Sequence, residues 1–190
     1  YQEAIIKPNK NIFNNKSIEK YKELTFCYIA HTVWLKGLSY LLESWEKIEG
    51  KNIKLVIGGS LNSNMKTFIK KKVENLDNVS FLGFIPDINS FMRKSHVCII
   101  PSLIDAGPTT IAEALYCGLP VITTEGCGSS TLIKESFNGF VVPIADSDSI
   151  AEKIKWFINN QDRIEDMSKN ATASIESLDK SNQNKNFAKH

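Results

Sequence analysis

The feature that most constrains the fold is a regular alternation of short apolar runs with segments whose apolar residues have helical spacing. Six apolar runs occur, at residues 24–30, 53–58, 79–82, 96–101, 120–124 and 139–143. Between them, apolar residues recur every three or four positions, as in Leu38, Leu41, Leu42 and Trp45. Short apolar runs that alternate with helices are typical of strands buried on both faces of a parallel sheet. The sequence therefore predicts an α/β fold with one doubly wound parallel sheet of about six strands.

Local signals predict where the elements and the domain begin and end. Gly50 is predicted to stop the first helix, Asp87 to cap a short helix, and Gly118 with Pro120 to end the helix near 110–117. Residues 1–20 are polar and weakly patterned, and we interpret them as a linker. The domain is predicted to span 21–178, and 179–190 is expected to be a polar tail with a frayed end.

Composition excludes several classes of protein. The net charge is +2, which is too balanced to indicate nucleic-acid binding, and Lys70-Lys71-Lys72 is interpreted as a solvated helix face. The N-terminal residues lack the apolar core of a signal peptide, and no apolar run approaches the ~20 residues of a membrane span. We therefore expect a cytoplasmic protein.

The four cysteines do not indicate a metal site or a disulfide. None forms a C-x-x-C pair or has histidines at metal-ligand spacing. Cys27 and Cys98 lie in predicted strands and are expected to be buried, whereas Cys127, between two glycines, is the one expected to be exposed. The pattern predicts a reducing compartment and no bound metal.

The segment PSLIDAGPTTIAEALYCGLP, residues 101–120, has two interpretations. Thr110 and Glu113 have the spacing of a capping box, in which their side chains would close the start of a helix. Alternatively, Asp105 and Glu113 face the ligand crevice at the carboxyl ends of the strands, where carboxylates accept from hydroxyl groups. Gly107 and the following turn would then offer backbone N–H groups to phosphate. No G-x-G-x-x-G or P-loop motif is present.

The order of several motifs resembles the donor-binding half of the GT-B glycosyltransferases, specifically glycosyltransferase family 4, the group 1 transferases. The resemblance covers roughly residues 20–160 and implies a Rossmann-like domain, the C-terminal half of a GT-B fold. The matching pieces are Lys36-Gly37, the strand and loop at 78–92, Pro101-Ser102, Asp105, Glu113-Ala114, Gly118, Pro120-Val121, Gly126-Cys127-Gly128 and Asn138-Gly139-Phe140.

The resemblance implies roles for individual residues. Glu113 would bind the ribose of a nucleotide, Asp105 the hydroxyls of the donor sugar, and Lys36 the diphosphate, so that these three are the predicted catalytic residues. Phe84, Ile85 and Pro86 would border the nucleotide base. The predicted donor-binding residues are His31, Lys36, Gly37, Gly58, Phe84, Ile85, Asp105, Ala106, Gly107, Pro108, Thr109 and Glu113.

The chain departs from the family pattern at three positions. His31 stands where an arginine is usual, Asp105 replaces a glutamate, and Thr131 stands where a glutamate is frequent. A neutral imidazole donates one hydrogen bond where a guanidinium offers a charged fork. Backbone donors at Gly126, Gly128 and Ser129 are expected to support the phosphate.

The resemblance implies a retaining enzyme that needs no metal or other cofactor and takes a UDP- or GDP-sugar as its donor. The chain has the length of one half of such an enzyme, so the acceptor domain would be a missing N-terminal partner, with peripheral membrane association of the whole and a role in bacterial polysaccharide biosynthesis. Trp156 and Phe157 would then be partly uncovered. The alternative is a non-catalytic nucleotide- or sugar-binding or interaction module, and a sugar-nucleotide epimerase of the same fold is a third.

Overall fold

The computed structural model describes residues 21–30, 34–50, 52–60, 63–74, 76–107 and 109–187. Six parallel strands form one sheet, in which the order by position in the chain is third, second, first, fourth, fifth and sixth, and this confirms the predicted doubly wound architecture. The strands are β1 Leu24–Ile29, β2 Ile53–Gly58, β3 Val79–Gly83, β4 Val97–Ile100, β5 Val121–Thr124 and β6 Gly139–Val142. Every residue of β4 and β5 is buried, as expected for central strands covered on both faces.

Helices follow the strands. They are α1 Leu38–Glu46, α2 Ser63–Val73, α3 Ile88–Met92, α4 Thr109–Tyr116, α5 Ser147–Asn159 and α6 Ile164–Phe187, with short 3-10 turns at Trp34–Lys36, Gly128–Leu132 and Gln161–Arg163. The predicted cap of α3 is confirmed, because the Asp87 carboxylate accepts from the Ser90 N–H at 2.9 Å. Helix α1 ends at Glu46, before the predicted stop at Gly50. Helix α6 contains no Gly or Pro and continues through Phe187, into the segment expected to be a frayed tail.

Each face of the sheet carries its own hydrophobic core, because successive strand residues point to opposite faces. One core contains Phe26 and Leu55 with α1 and α5, and the other contains Cys27 and Cys98 with α3 and α4. Helix α6 contributes to both cores. Its residues Ile164 and Met167 pack in the first core, and Ala171 and Ile175 pack in the second.

The expectation that Phe157 is partly uncovered is corrected, whereas those for Trp156, the strand cysteines and the lysine run are confirmed. Phe157 is fully buried, and its ring packs edge-on against Phe140 and Trp156 at 5.5 and 5.3 Å, so this domain covers it without a second half. Trp156 is half-buried. Cys27 and Cys98 are buried as predicted. Lys70 and Lys71 are exposed on α2, and Lys72 pairs with Glu46 at 3.3 Å, so the basic run is a solvated face.

Candidate functional site

The carboxyl ends of β1 and β4 form the topological switch point of the sheet. The chain proceeds from β1 toward β3 on one side and from β4 toward β6 on the other. Ligands of open parallel sheets bind in the crevice at this point. Lys36 follows β1 and Asp105 follows β4, and Lys36 Nζ donates to Asp105 Oδ2 in an ion pair. The structure therefore brings two of the three predicted catalytic residues together where a ligand is expected.

Backbone contacts fix the two segments that carry this pair. Gly37 has a φ of 70°, and a Cβ there would lie 1.8 Å from the carbonyl oxygen of Pro101. The Leu103 N–H donates to the Leu35 carbonyl at 2.7 Å. A side chain at position 37 would push the segments apart, so glycine is required for the pair to form.

The ion pair lies partly out of water. The Asp105 side chain is 14% exposed and that of Lys36 is 30% exposed. The Gly107 N–H also points toward Asp105 Oδ1, at a long 3.5 Å. An ammonium has three donors, so Lys36 keeps N–H groups with which it can bind an incoming anion. Helix α4 begins at Thr109, directly after this loop, and its N-terminal end favours negative charge at the same place.

The loop after β5 closes one side of the crevice. The Asp105 N–H donates to the Gly126 carbonyl at 3.0 Å, and the Gly128 N–H donates to the Asp105 carbonyl at 2.8 Å. A Cβ at Gly126 or Gly128 would lie 2.3 or 2.1 Å from the carbonyl oxygens of Leu103 and Ala106. The prediction that the Gly128 N–H serves phosphate is therefore wrong, because this donor is already used within the loop pairing.

The same pairing corrects the expectation for Cys127. Its side chain is buried, with Sγ 3.8 Å from the Ile100 carbonyl oxygen and from Thr124 Oγ1. The flanking glycines permit close backbone pairing with the loop after β4, which turns the thiol inward.

Glu113 lies on α4, one helical turn before Cys117. The capping-box interpretation is wrong, because α4 begins at Thr109 and places Thr110 inside the first turn. The half-buried Glu113 carboxylate makes no hydrogen bond or ion pair with another described residue. Cys117 Sγ lies 3.4 Å from Asn89 Oδ1 of α3, so this face of α4 is directed toward α3.

The effect of neighbouring charges on the pKa of Cys117 agrees with that placement of Glu113. Burial raises the pKa of the Cys117 thiol, Arg93 opposes the rise, and the negative charge of Glu113 adds to it. The Glu113 carboxylate therefore lies on the side of α4 that faces α3. An ionised carboxylate there can accept hydrogen bonds from the hydroxyls of a ligand.

A cavity of about 150 Å³ opens at the carboxyl ends of β2 and β3. Its lining residues are Gly59, Ser60, Lys66, Phe81, Gly83 and Phe84. Phe84 is 65% exposed, as suits a wall for a flat ring. The sequence did not identify Lys66, since it was one of several lysines on a predicted solvated helix. Its position in the first turns of α2, directly after a strand-end loop, was the available signal.

The remaining predicted donor-binding residues differ in their exposure and in their distance from the crevice. Ile85 is half-buried and covers Gly58, where a Cβ would lie 2.6 Å from Ile85 Cγ1, so these two pack against each other. Ala106, Gly107 and Thr109 are exposed at the crevice. Thr131 is exposed on the 3-10 turn. His31 and Pro108 lie outside the described residues.

A second cavity, of about 330 Å³, lies beside the C-terminal ends of α1 and α5 and includes Lys47 and Lys155. The helices between parallel strands run back from the carboxyl edge of the sheet, so this cavity is remote from the switch point. Its Lys47 ammonium is paired with Asp148 at 2.6 Å. Among the described helices, none has the length and hydropathy to cross a membrane.

Comparison with known proteins assigns the family from the sequence and the fold from the structure. The family model described as glycosyl transferases group 1 matches residues 9–174. The capsular polysaccharide biosynthesis glycosyltransferase CapM of Staphylococcus aureus is 31% identical over 173 residues, which are 86% of this chain and 45% of CapM.

Two solved structures share the fold. The C-terminal domain of the group 1 family protein LpcC from Francisella tularensis superposes with a TM-score of 0.75 at 21% identity, covering 81% of this chain and 85% of that domain. Anabaena HepE, solved in complex with UDP-glucose, gives a TM-score of 0.72 at 19% identity, covering 85% of this chain and 49% of HepE.

These matches define the extent of the chain as well as its family. The chain spans less than half the length of the first curated relatives, 45%, 38% and 45% of three of them. Its fold is the Rossmann-like C-terminal domain of a GT-B glycosyltransferase. The chain therefore belongs to the glycosyl transferases group 1 family.

Proposed function

We propose that this chain is the donor-binding domain of a retaining glycosyltransferase that moves a sugar from a UDP- or GDP-sugar to a glycan or lipid-linked acceptor. The observation that carries the proposal is the Lys36–Asp105 pair at the switch point, beside the N-terminal end of α4. A diphosphate placed there meets a cation and a helix dipole, and the neighbouring carboxylate can accept from sugar hydroxyls. The relatives add support, because CapM is named for capsular polysaccharide biosynthesis and HepE was solved with UDP-glucose.

The proposed chemistry breaks the bond between the anomeric carbon of the sugar and the diphosphate oxygen. The bonding electrons leave with the diphosphate, whose growing charge is stabilised by the Lys36 ammonium and the α4 dipole. The acceptor hydroxyl forms the new bond on the same face of the sugar and gives its proton to the departing diphosphate oxygen. Glu113 would hold the ribose hydroxyls, so that the cleavable bond stays aligned with Lys36.

The remainder of the enzyme is part of the proposal. The acceptor site is placed on an N-terminal domain, since the chain covers less than half of its relatives. The free thiols of Cys27, Cys98, Cys117 and Cys127 suit a reducing compartment, so we place the enzyme in the cytoplasm, at the membrane surface when the acceptor is lipid-linked.

The test uses a longer protein that contains both halves. It is incubated with UDP-glucose, UDP-galactose or GDP-mannose, and release of the nucleoside diphosphate is measured with and without Glu113→Gln. Exposed Glu176→Gln on α6 is the matched control. We expect release from one donor class, a fall of at least ~10-fold in Glu113→Gln, and no change in the control.

The same assay distinguishes a glycosyltransferase from the alternative, a non-catalytic binding module. A protein that binds a nucleotide sugar but releases no diphosphate, with or without acceptor extracts, would be the non-catalytic binding module. Two described residues favour this second candidate: Asp105, whose side chain is one methylene shorter than the usual glutamate and is paired with Lys36, and Thr131, which stands where a glutamate is frequent.

A further inference from the structure

The β2 side of the crevice offers room for a nucleotide base. On the β5 side, backbone hydrogen bonds join Asp105 to Gly126 and Gly128, so the two loops are in contact. On the β2 side, the 150 Å³ cavity lies next to the end of β1. Glu113 faces the same side through α3. A nucleotide with its diphosphate at Lys36 would therefore extend its base into this cavity.

The cavity has rigid walls. The Gly59 N–H donates to the Gly83 carbonyl at 2.7 Å, which joins the ends of β2 and β3. A Cβ at Gly59 would lie 1.9 Å from the Ala30 carbonyl oxygen, so the end of β2 is also packed on β1. These contacts fix the ends of the strands, so the lining side chains project from a defined backbone.

The volume and the lining indicate which base fits. A cavity of about 150 Å³ is the size that holds a single six-membered ring. Phe84 offers an aromatic face on which a flat ring can stack. Lys66 is the one ionisable residue in the lining, and it makes no ion pair with another described residue.

A lysine ammonium donates hydrogen bonds and accepts none. It matches a carbonyl oxygen on the base and conflicts with an exocyclic amino group, which is also a donor. Uracil presents a carbonyl where cytosine presents an amino group, and both are single rings. Guanine carries a carbonyl but has two fused rings.

We propose that Lys66 is a specificity-determining residue that selects uracil, and hence a uridine diphosphate sugar, as the donor. The inference rests on the proposed function and narrows its donor class. Lys66 acts on the base and takes no part in breaking the glycosidic bond.

The test measures the dissociation constants of UDP, CDP and GDP for the native chain by calorimetry. It repeats them with Lys66→Met, which keeps the length and removes the charge, and with Lys70→Met, an exposed lysine one turn along α2, as the control. UDP and CDP differ along one edge of the ring, where uracil has a C4 carbonyl and an N3–H donor and cytosine has a C4 amino group and an N3 acceptor. The ratio of their affinities therefore reports how the cavity recognises this edge. We expect UDP to bind at least ~10-fold tighter than CDP, and Lys66→Met to erase this ratio while Lys70→Met keeps it.

The outcomes separate this inference from the function on which it rests. An equal fall for UDP and CDP in Lys66→Met would show general attraction of the diphosphate and would overturn the inference. Tighter binding of GDP than UDP, or an unchanged ratio in Lys66→Met, would also overturn it while donor binding stands. Failure of every nucleotide to bind the native chain would overturn the proposed function and this inference together.

Discussion

Lys36 and Asp105 neutralise each other at the switch point, although 69 residues separate them in the chain. The pair forms because Gly37 allows the segment after β1 to touch Pro101 in the segment after β4. A bound diphosphate would have to share the Lys36 ammonium with Asp105. The pair is therefore both a means of positioning Lys36 and a competitor for the ligand.

Asp105→Asn is expected to strengthen binding of the nucleoside diphosphate part of the donor and to weaken the contribution of its sugar to affinity. Removing the competing negative charge strengthens binding of a nucleoside diphosphate by a few-fold, in line with the ~1 kcal/mol of a partly exposed ion pair. The gain in affinity from the attached sugar becomes smaller, since a charged acceptor for its hydroxyls is lost. Calorimetric titration with UDP and with a UDP-sugar measures both effects, and Asp162→Asn on the exposed 3-10 turn is the control. Weaker binding of the diphosphate itself would contradict this description of the pair.

Gly37→Ala is expected to cost more stability than Gly83→Ala. Both glycines have a φ near 70°, where an alanine is strained by about 1–2 kcal/mol. A Cβ at Gly83 meets no atom within 4 Å, whereas at Gly37 it meets the Pro101 carbonyl, so overpacking adds about 1–3 kcal/mol there. Denaturant unfolding compares the two variants directly. Equal losses would show that the contact between Gly37 and Pro101 is not tight.

Thiol labelling tests the burial of the cysteines. Cys27, Cys98 and Cys127 are buried, and Cys117 is partly exposed. A thiol reagent should therefore modify Cys117 in the native protein and all four cysteines after unfolding. The native reaction should be slow, since burial raises the pKa of Cys117 and so lowers its thiolate fraction. Rapid modification of Cys127, located by mass spectrometry, would mean that the loop after β5 is not paired with Asp105.

The cap of α5 should make stability depend on pH in a defined direction. The Ser149 hydroxyl and N–H and the Asp148 N–H donate to Asp146, and the Ser149 hydroxyl chiefly lowers the Asp146 pKa. A lowered pKa in the folded state stabilises the protein above the ordinary aspartate pKa of ~3.9, and this contribution disappears as the pH falls through the lowered value.

Asp146→Ala should therefore unfold at a lower temperature than the native chain at neutral pH, with the difference closing in acid. Asp146→Asn is the matched control, because an asparagine caps a helix at any pH. Circular dichroism during heating, repeated across the acid range, follows the difference. A gap between Asp146→Ala and the native chain that persists in strong acid would contradict the capping role of the carboxylate.

The strands and their parallel arrangement were predictable because a strand that is buried on both faces has a continuous run of apolar residues in the sequence. The run IKLVIG matches β2 at both ends, and Asp87 caps α3 as its sequence position indicates. The first residues of the helices were harder to predict from the sequence. Thr110 and Glu113 have capping-box spacing, yet α4 begins one residue earlier, which leaves the Glu113 carboxylate without a described partner.

Long-range pairing accounts for the features that the sequence did not reveal. The glycines around Cys127 indicate a turn locally, and only contact with Asp105 and Ala106 shows why they bury the thiol. Phe157 was expected to need a second domain, but α5 packs it within this one. Lys66 could be proposed to bind a base only from the structure, in which it lines the same cavity as Phe84.

The most direct test of the central claim is nucleotide binding by this chain and by the double variant Lys36→Met, Glu113→Gln. Calorimetric titration with UDP, GDP and ADP should show saturable binding of one uridine or guanosine diphosphate to the native chain. The double variant, with an unchanged unfolding transition, should lose at least ~100-fold in affinity because a cation and a ribose acceptor are both removed. Binding that survives in the double variant would contradict the account, because the nucleotide would then occupy a site other than the crevice between β1 and β4.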